Sequence, residues 1–317
     1  MGDTLLNRFR PAVSVAPLTS RDLAKAHALC AERPAAYVMP MQGIESAHAV
    51  SRGRVDNVWG VYVRRGSERA LVGAVWAGAN VVPALPGASA DLVARVAEVA
   101  ARRMPRPTAL VGEADVVRQL WHNLEGAWGP ARVVRDPQIH MTLAERPEVT
   151  TPEIPGVTWE PVRRAVAADF DALLPAAVDM FTTEVGYNPL EVSPGPYRDR
   201  LEWLVRAGRS FVQYAQIDNR RTLVFKAEVG ALTSGNLAST PHAHRGSGVA
   251  ELQGVWVHPQ MRGHGVGRAA VAQTTALVQQ WHAPVVSLYV NGFNTPALRM
   301  YESVGFGREG DFVSVML

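Results

Sequence analysis

The same order of predicted elements runs twice along this 317-residue chain, on either side of one proline-rich break. The break is AERPEVTTPEIPG, Ala144 to Gly156. It lacks apolar periodicity and its prolines remove backbone donors, so it reads as a linker. The first half opens with a short strand and a helix (SVAPLTSRDLAKAHALCAE) and continues with a strand pair (VWGVYVRR and ALVGAVWAG). A helix (ADLVARVAEVAARR), a short apolar strand (TALVG), another helix and a last strand follow. The second half repeats this with VTWEPVRRAVAADFDALLPAAVDMF, SFVQYAQI and TLVFKAEVGAL, GRAAVAQTTALVQQW, VVSLYVN and a closing helix and strand. Both halves therefore read as one α+β unit, a twisted mixed sheet flanked by helices. The expected division is residues 1–145, a linker over 146–156, and residues 157–317. Thr233 to Gly248 reads as a long polar loop between two strands.

Composition narrows the function class. Hydrophobic residues are 47 % and charged residues 19 %, the proportions of an ordinary globular protein. No apolar run approaches the ~20 residues that span a bilayer, and MGDTLLNRFRPAVSV lacks the apolar core of a signal peptide. A cytoplasmic protein without membrane contact is expected. Cys30 is the single cysteine, which leaves no internal disulfide and no thiolate metal cluster; in its helical run it reads as packing. No metal site is expected, since the histidines at 242, 244 and 264 lack ligand spacing. The net charge is +3 with arginines scattered, which gives no nucleic-acid footprint but suits an anionic small molecule.

The stretch VWVHPQMRGHGVGRAAV, Val255 to Val271, holds the densest chemistry. A valine-rich strand ends at Pro259, which cannot continue a ladder. Gly263, Gly265 and Gly267 follow, then a helical run begins. Backbone N–H groups at a helix start have no partner of their own and carry the positive end of the helix dipole. Glycines let the backbone approach a ligand, and Arg262 and Arg268 add full charges. That combination suits a phosphate or pyrophosphate. It is neither the nucleotide P-loop nor the dinucleotide GxGxxG pattern. A tight turn chosen for geometry alone remains the other reading at this point.

Downstream, VVSLYVNGFNTPALRMYESVGFGREG carries Asn291, Asn294, Tyr301 and then Val304-Gly305-Phe306. QMRGHGVG resembles the Q/R-x-x-G-x-G/A motif of the GCN5-related N-acetyltransferase (GNAT) superfamily. The N-x-x-N-x-x-x-x-x-x-Y-x-x-x-G-F spacing is similar to that superfamily's last helix. The motifs cover Glu251 to Phe312. The stretches VFKAEVGALT, LQGVWV and PVVSLYVN further resemble a bacterial two-domain family with an N-terminal domain of unknown function.

The resemblance implies an acetyl-CoA-dependent N-acetyltransferase that moves an acetyl group directly to a primary amine on a small molecule, peptide or protein. It implies that the backbone of Arg262, Gly263, His264, Gly265, Val266, Gly267 and Arg268 holds the pyrophosphate. Val255 and Val257 on the fourth strand then pair with the pantetheine arm, and Asn294 orients it. Asn294 also reads as the cap of TPALRMYESV. Tyr301 is then the general acid for the departing thiolate, since a phenol of pKa ~10 keeps its proton at neutral pH. Packing beside Met300 and Phe306 is its other reading. Glu251 is the candidate general base. Glu228 on the next strand is a second candidate, or a partner for Lys226. By alternation Glu251, Gln253 and Val255 are expected on one face. Asp179, Glu184 and Tyr187 are candidates to face a cationic acceptor.

The first half is expected to be a degenerate copy without a working acetyl-CoA site. Where the second half has QMRGHGVG, the first has VVPALPGASA, with only Gly87, with Pro83 and Pro86, and with no arginine nearby. At the Asn294 and Tyr301 spacing stand Ala114 and Trp121, and Trp121 is expected to pack, with the second half as one candidate surface. Mycothiol synthase, also a tandem of two such domains, is an alternative, and so is a non-catalytic acyl-CoA-binding regulator. The oligomeric state is open between monomer and homodimer.

Overall fold

The computed structural model describes residues 12–50, 54–237 and 248–317. It shows two compact units that are not two contiguous halves. Among the described residues, one takes the chain up to His140, the segment beginning at Thr233, and Gly310–Leu317; the other takes Met141–Leu232 and residues 248–309.

In the first unit the strands are β1 (Val13–Thr19), β2 (Arg54–Arg65), β3 (Glu68–Ala77), β4 (Asn80–Ala84), β5 (Ala109–Glu113) and β6 (Val133–Leu143), the last crossing the unit boundary. Helices α1 (Leu23–Cys30), α2 (Val38–Val50), α3 (Ala90–Arg103) and α4 (Ala114–Trp128) accompany them. Neighbouring strands β1 to β4 pair antiparallel, and β4 pairs parallel with β5. The chain's last strand, β13 (Gly307–Met316), completes this sheet by pairing antiparallel with β5, Phe312 to Met316 against Glu113 to Ala109. β6 lies on its other side, where His140 stacks on Phe312 at 4.5 Å. The halves read from the sequence are thus interleaved in space: the terminal strand expected in the second half serves the first unit.

Helix α3 forms where the apolar spacing demands it. Val93, Val96, Ala97 and Ala100 are buried at the i, i+3, i+4, i+7 positions of one face. Ser89 caps it, its hydroxyl accepting from the Leu92 N–H at 3.3 Å. That face joins a core of Val15, Val61, Val75, Leu110, Val117, Leu120 and Val313. Trp121 packs on the same core. Cys30 is fully buried, and burial pushes its thiol up to about 12. Segments α2 and β4 were not expected from the sequence. Glu45 on α2 gathers the start of the Thr233 segment, accepting from the Ser234 and Gly235 N–H groups at 2.8 and 3.1 Å.

The second unit contains β7 (Val157–Trp159), β8 (Arg163–Arg164), β9 (Ser210–Ile217), β10 (Arg220–Thr233), β11 (Val249–Val257) and β12 (Val285–Asn291). Its helices are α5 (Phe170–Val185), α6 (Pro189–Val192), α7 (Pro194–Arg206), α8 (Val266–Trp281) and α9 (Thr295–Val304). The sheet order is β12-β11-β10-β9-β7, with β8 also on β9. β11 and β12 run parallel, joined through α8. Parallel β4 and β5 are joined in the same way through α3, so each unit has one parallel pair with a crossover helix.

On one face of this sheet Val212, Tyr214, Leu223 and Trp256 meet Leu173, Ala177, Leu201 and Val205 of α5 and α7. The entrance to α5 is fixed by charge. Arg163 donates from both guanidinium nitrogens to the Asp169 carboxylate at 2.7 Å each, and the Val166 N–H adds a third bond at 2.8 Å. These bonds, the Arg163 one first, hold the Asp169 carboxyl down at about 2.

A carboxyl lowered in the folded state stabilises the fold above its unfolded pKa of about 3.9 and loses that contribution as pH falls toward 2. Asp169→Asn is therefore expected to lower stability by about 1–3 kcal/mol at pH 7. In urea unfolding, the gap between variant and wild type should close as pH falls from 4 to 2. A gap that does not depend on pH would contradict this assignment.

Candidate functional site

β11 passes from its last strand residue into one 3-10 turn, Pro259–Met261, capped by the His258 ring, which accepts from the Gln260 N–H at 3.3 Å. Gly263 and Gly265 then adopt φ of +80° and +79°. Nothing lies within 4 Å of a Cβ built on either. Their requirement is thus the left-handed backbone, and the space beside them is open. Gly267 is different: it is helical, and a Cβ there would sit 3.4 Å from Val257 Cγ2 and 3.8 Å from Met300 Cγ.

Gly265 is the N-cap of α8, and no side chain caps that end. The first-turn N–H groups at Val266, Gly267 and Arg268 therefore point out of the helix with the positive end of its dipole. Val266 itself is buried against Ala215, Val224 and Met261, which pins the helix start to the sheet. Arg262, Gly263, His264, Gly265 and Arg268 are exposed. The Arg262 Nε donates to the Val257 carbonyl at 3.1 Å, and the His264 ring meets the Arg262 carbonyl at 2.8 Å. Arg262 is therefore a strut between loop and strand as well as a charge. The Val257 carbonyl, expected to face a ligand, is already engaged.

Beside this loop the parallel ladder between β11 and β12 is short. It runs through Val249–Val285, Ala250–Val286 and Glu251–Ser287 and ends there, although both strands continue. Val255 and Val257 lie past the last rung, on the length where β11 has left β12. Gly254, with φ of +59°, breaks the strand's regular alternation. The contacts locate the consequence. Glu251 senses Arg200 of α7, and Trp256 packs on α5 and donates from Nε1 to Asp179 at 2.7 Å. Residues five apart share a face, so the alternation shifts by one at Gly254. Glu251 and Gln253 share a face as expected, and it is the α7 face, but Val255 turns to the other side with Val257.

Glu251 is 5 % exposed, and burial pushes its carboxyl up to about 7, with the Arg200 guanidinium acting in the opposite sense. Glu228 is committed elsewhere. It accepts from Lys226 at 2.5 Å and from Gln253 Nε2 at 3.3 Å. Lys226 is wholly buried, and its Nζ would lie 3.1 Å from a Cβ at Gly254. This pair underlies the bulge.

On α9, Asn294 is the N-cap, its Oδ1 accepting from the Ala297 N–H at 3.2 Å. Tyr301 is buried two turns on, edge-on to Phe306 with ring centres 5.8 Å apart. Burial first, and then the Glu184 carboxylate, push its phenol above the ordinary tyrosine range. It keeps its proton at any physiological pH. Of the other acceptor candidates, Asp179 is bound to Trp256 and Tyr187 lies edge-on to Phe181 at 5.3 Å. His242 and His244 lie outside the described residues. No group of metal-ligating side chains occurs among the described residues, and no helix among them is long and apolar enough to cross a membrane.

The sequence reading missed Arg200, Gly254 and Ser287. A glycine inside the valine-rich ELQGVWV was the available sign of a bulge. The run PYRDRLEWLVR behind two prolines was the sign of α7.

The first unit provides a contrast at the same place. β4 and β5 also part after two rungs, Asn80–Ala109 and Val81–Leu110. There the Pro83 ring lies 3.4 Å from a Cβ built on Gly112 of β5, and Ser89 occupies the α3 start.

Residues 178–306 match the Acetyltransferase (GNAT) family, and residues 56–173 match a domain of unknown function, DUF4081. The C-terminal part of this chain is a GNAT acetyltransferase domain. The family matched by residues 178–306 is one of acetyltransferases, which supports an acyltransferase. A mycothiol acetyltransferase of Acidothermus cellulolyticus is 35 % identical over 89 residues, which is 28 % of this chain and 26 % of that protein. A mycothiol acetyltransferase of Thermobispora bispora is 42 % identical over 60 residues, 19 % of this chain and 20 % of its own length. These matches thus cover about a quarter of such relatives at most. Among solved structures, a Drosophila protein superposes with a TM-score of 0.59 at 12 % identity, over 96 % of this chain and 98 % of that one. A tandem GNAT protein from the clavulanic acid biosynthesis pathway gives 0.50 at 15 % identity, over 96 % and 98 %. At such identities the likeness is one of fold, and the fold is the tandem α+β arrangement expected from the repeated element order.

Glu251 allows a test that needs no ligand. Its raised carboxyl favours the fold most below the unfolded pKa of about 4.3, and that contribution is lost as pH rises through about 7. Glu251→Gln cannot titrate. Its stability relative to wild type should rise between pH 4 and 7 and level off above, by at most about 4 kcal/mol. A difference that stays flat over that range would show that the carboxyl titrates normally.

Proposed function

We propose that this chain is an acetyl-CoA-dependent N-acetyltransferase that transfers an acetyl group directly to a primary amine. One observation carries the reading: an uncapped helix start behind two left-handed glycines opens beside a sheet whose parallel strands part after three rungs. The helix start suits a pyrophosphate, and the length of β11 beyond the last rung suits an amide-rich arm. Residues 157–317 are the proposed catalytic domain, 146–156 the linker, and 1–145 a degenerate copy. In that copy Pro83 stands against the strand and Ser89 takes up the helix-start donor. The enzyme would work in the cytoplasm, with acetyl-CoA and an amine as its partners.

Acetyl-CoA supplies the acetyl group as a thioester. The residues of this chain divide the remaining work. The backbone of Arg262 to Arg268 holds the pyrophosphate, with the Arg262 and Arg268 side chains adding charge. Val255 aligns the arm by backbone pairing and Val257 through its N–H, its carbonyl being held by Arg262. Asn294 fixes the start of α9 and so the height of Tyr301. Tyr301, buried and protonated, donates to the departing sulfur. Glu251, poised at about 7, accepts the amine proton. Glu228 suits that role less, since it already accepts from Lys226 and Gln253.

A second reading narrows the acceptor to a mycothiol-type amine, on the strength of the mycothiol acetyltransferase relatives. CoA release with a panel of primary amines that includes such an acceptor separates the two readings. Acetyl-CoA binding with no release on any amine would favour a non-catalytic acyl-CoA-binding regulator.

Gly265→Glu should weaken acetyl-CoA binding by at least about tenfold, or about 1.4 kcal/mol. It puts a carboxylate at an anion site and a side chain at φ +79°. Unchanged affinity in a folded variant would rule the site out. Tyr301→Phe should lower kcat by about a hundredfold or more while acetyl-CoA affinity changes by less than about twofold. Retained kcat would return Tyr301 to the core.

A further inference from the structure

Two helices of the second unit end against the turn at Gly208. α7 closes with a left-handed residue there: Gly208 has φ of +65°, its N–H donates to the Val205 carbonyl at 3.0 Å, and the Arg209 N–H donates to the Leu204 carbonyl at 2.8 Å. α8 ends at Trp281, and the next residue, His282, donates from its ring Nε2 to the Gly208 carbonyl at 3.0 Å. From β8, Arg164 crosses the same turn. A Cβ built on Gly208 would lie 3.5 Å from Arg164 Cδ and from Nη1.

Two exposed tryptophans flank this junction, and a guanidinium lies over each. Arg164 sits 4.0 Å from the centre of the Trp281 ring, and Arg209 sits 5.1 Å from that of Trp203. Trp281 is 42 % exposed and Trp203 43 %, while both arginines are half-buried. Arg164 Nε is buried and has no hydrogen-bond partner among the described residues. An unmet buried donor costs about 1–3 kcal/mol, and more on a charged group, so this atom calls for an acceptor.

The local charges decide what that acceptor is. Each helix end contributes about −0.5 of an elementary charge, and the two guanidiniums are full charges, so a surplus of about +1 is left. The neighbouring groups do not remove it. Glu202 and Arg206, four apart on α7, are opposite in sign, and Arg163 is engaged with Asp169. Burial first, and then the two guanidiniums, hold the His282 ring below its usual range against the Gly208 bond, so it is neutral at pH 7. A carboxylate matches a guanidinium in charge and in spacing. The open tryptophan faces suit apolar side chains beside that carboxylate. Tryptophan and arginine are also the side chains on which protein interfaces concentrate their energy.

We propose that Arg164 and Arg209, between Trp203 and Trp281, form a docking site for an acidic segment of another protein. A carboxylate of that segment accepts from Arg164 Nε, and the apolar side chains next to it cover the two rings. The site lies at the far end of α8 from the glycine loop, 16 residues or about 24 Å away. The docked segment therefore leaves the loop open, and the inference does not depend on the acetyltransferase reading.

The test uses the full chain and a labelled, end-capped peptide of glutamate and leucine. A second peptide has glutamine in place of every glutamate. Fluorescence anisotropy should show the first peptide bound, and the second bound at least about tenfold more weakly. Arg164→Lys keeps the charge but loses the planar fork, and should weaken the first peptide about tenfold. Trp203→Ala removes a half-exposed ring and should weaken it by about tenfold as well. Thermal melts establish that both variants are folded, and the comparison of the two peptides on the wild type needs no variant. Absence of binding by the glutamate peptide, equal binding of the glutamine peptide, or unchanged binding to both folded variants would overturn the site. Binding to vesicles of anionic lipid in place of the peptide would overturn it too, since the patch would then be a membrane surface.

Discussion

The arrangement of the second unit depends on where β11 and β12 stop pairing. Parallel strands held together along their whole length would bury their inner edges and leave no opening in the sheet. Here the ladder ends at Glu251 and Ser287. Three residues later Gly254 takes a left-handed conformation that the buried Lys226–Glu228 pair lies beneath. The bulge shifts the alternation of β11 by one residue. It keeps Glu251 and Gln253 on the α7 side while Trp256 still reaches the α5 core. The glycine loop follows within a few residues, so opening, helix start and carboxylate lie on one short length of chain.

The first unit has the same opening without the other features that the proposed site uses. It repeats the parallel pair, the crossover helix and the early end of the ladder. Yet Pro83 brings its ring against Gly112 where the strands part, and Ser89 satisfies a donor at the α3 start. On the proposed reading these two differences, a proline for an open strand and a serine for a bare glycine cap, leave the first unit without a place for an anionic amide-rich ligand. Trp121, whose packing surface the sequence left open, lies on the unit's own core.

Much of this was legible in the sequence because it is local. The glycines at 263 and 265, the apolar stripe of α3 and the Asn294 cap each announce themselves within a few residues. The face of Val255 was misread because a bulge changes alternation without changing composition. The fate of the last strand was also hidden. Nothing near Phe312 tells that it pairs with Glu113, nearly two hundred residues away. Ser287 carried no motif at all; only the ladder register brings it opposite Glu251. Glu228 and Lys226, two apart on one strand, were readable as a pair, and they form one.

The central claim is that one unit, and only one, offers an acetyl-CoA site. Calorimetric titration of the full chain with acetyl-CoA measures this directly. The account predicts a single site per chain. Two equivalent sites, or no binding to a folded chain, would contradict it.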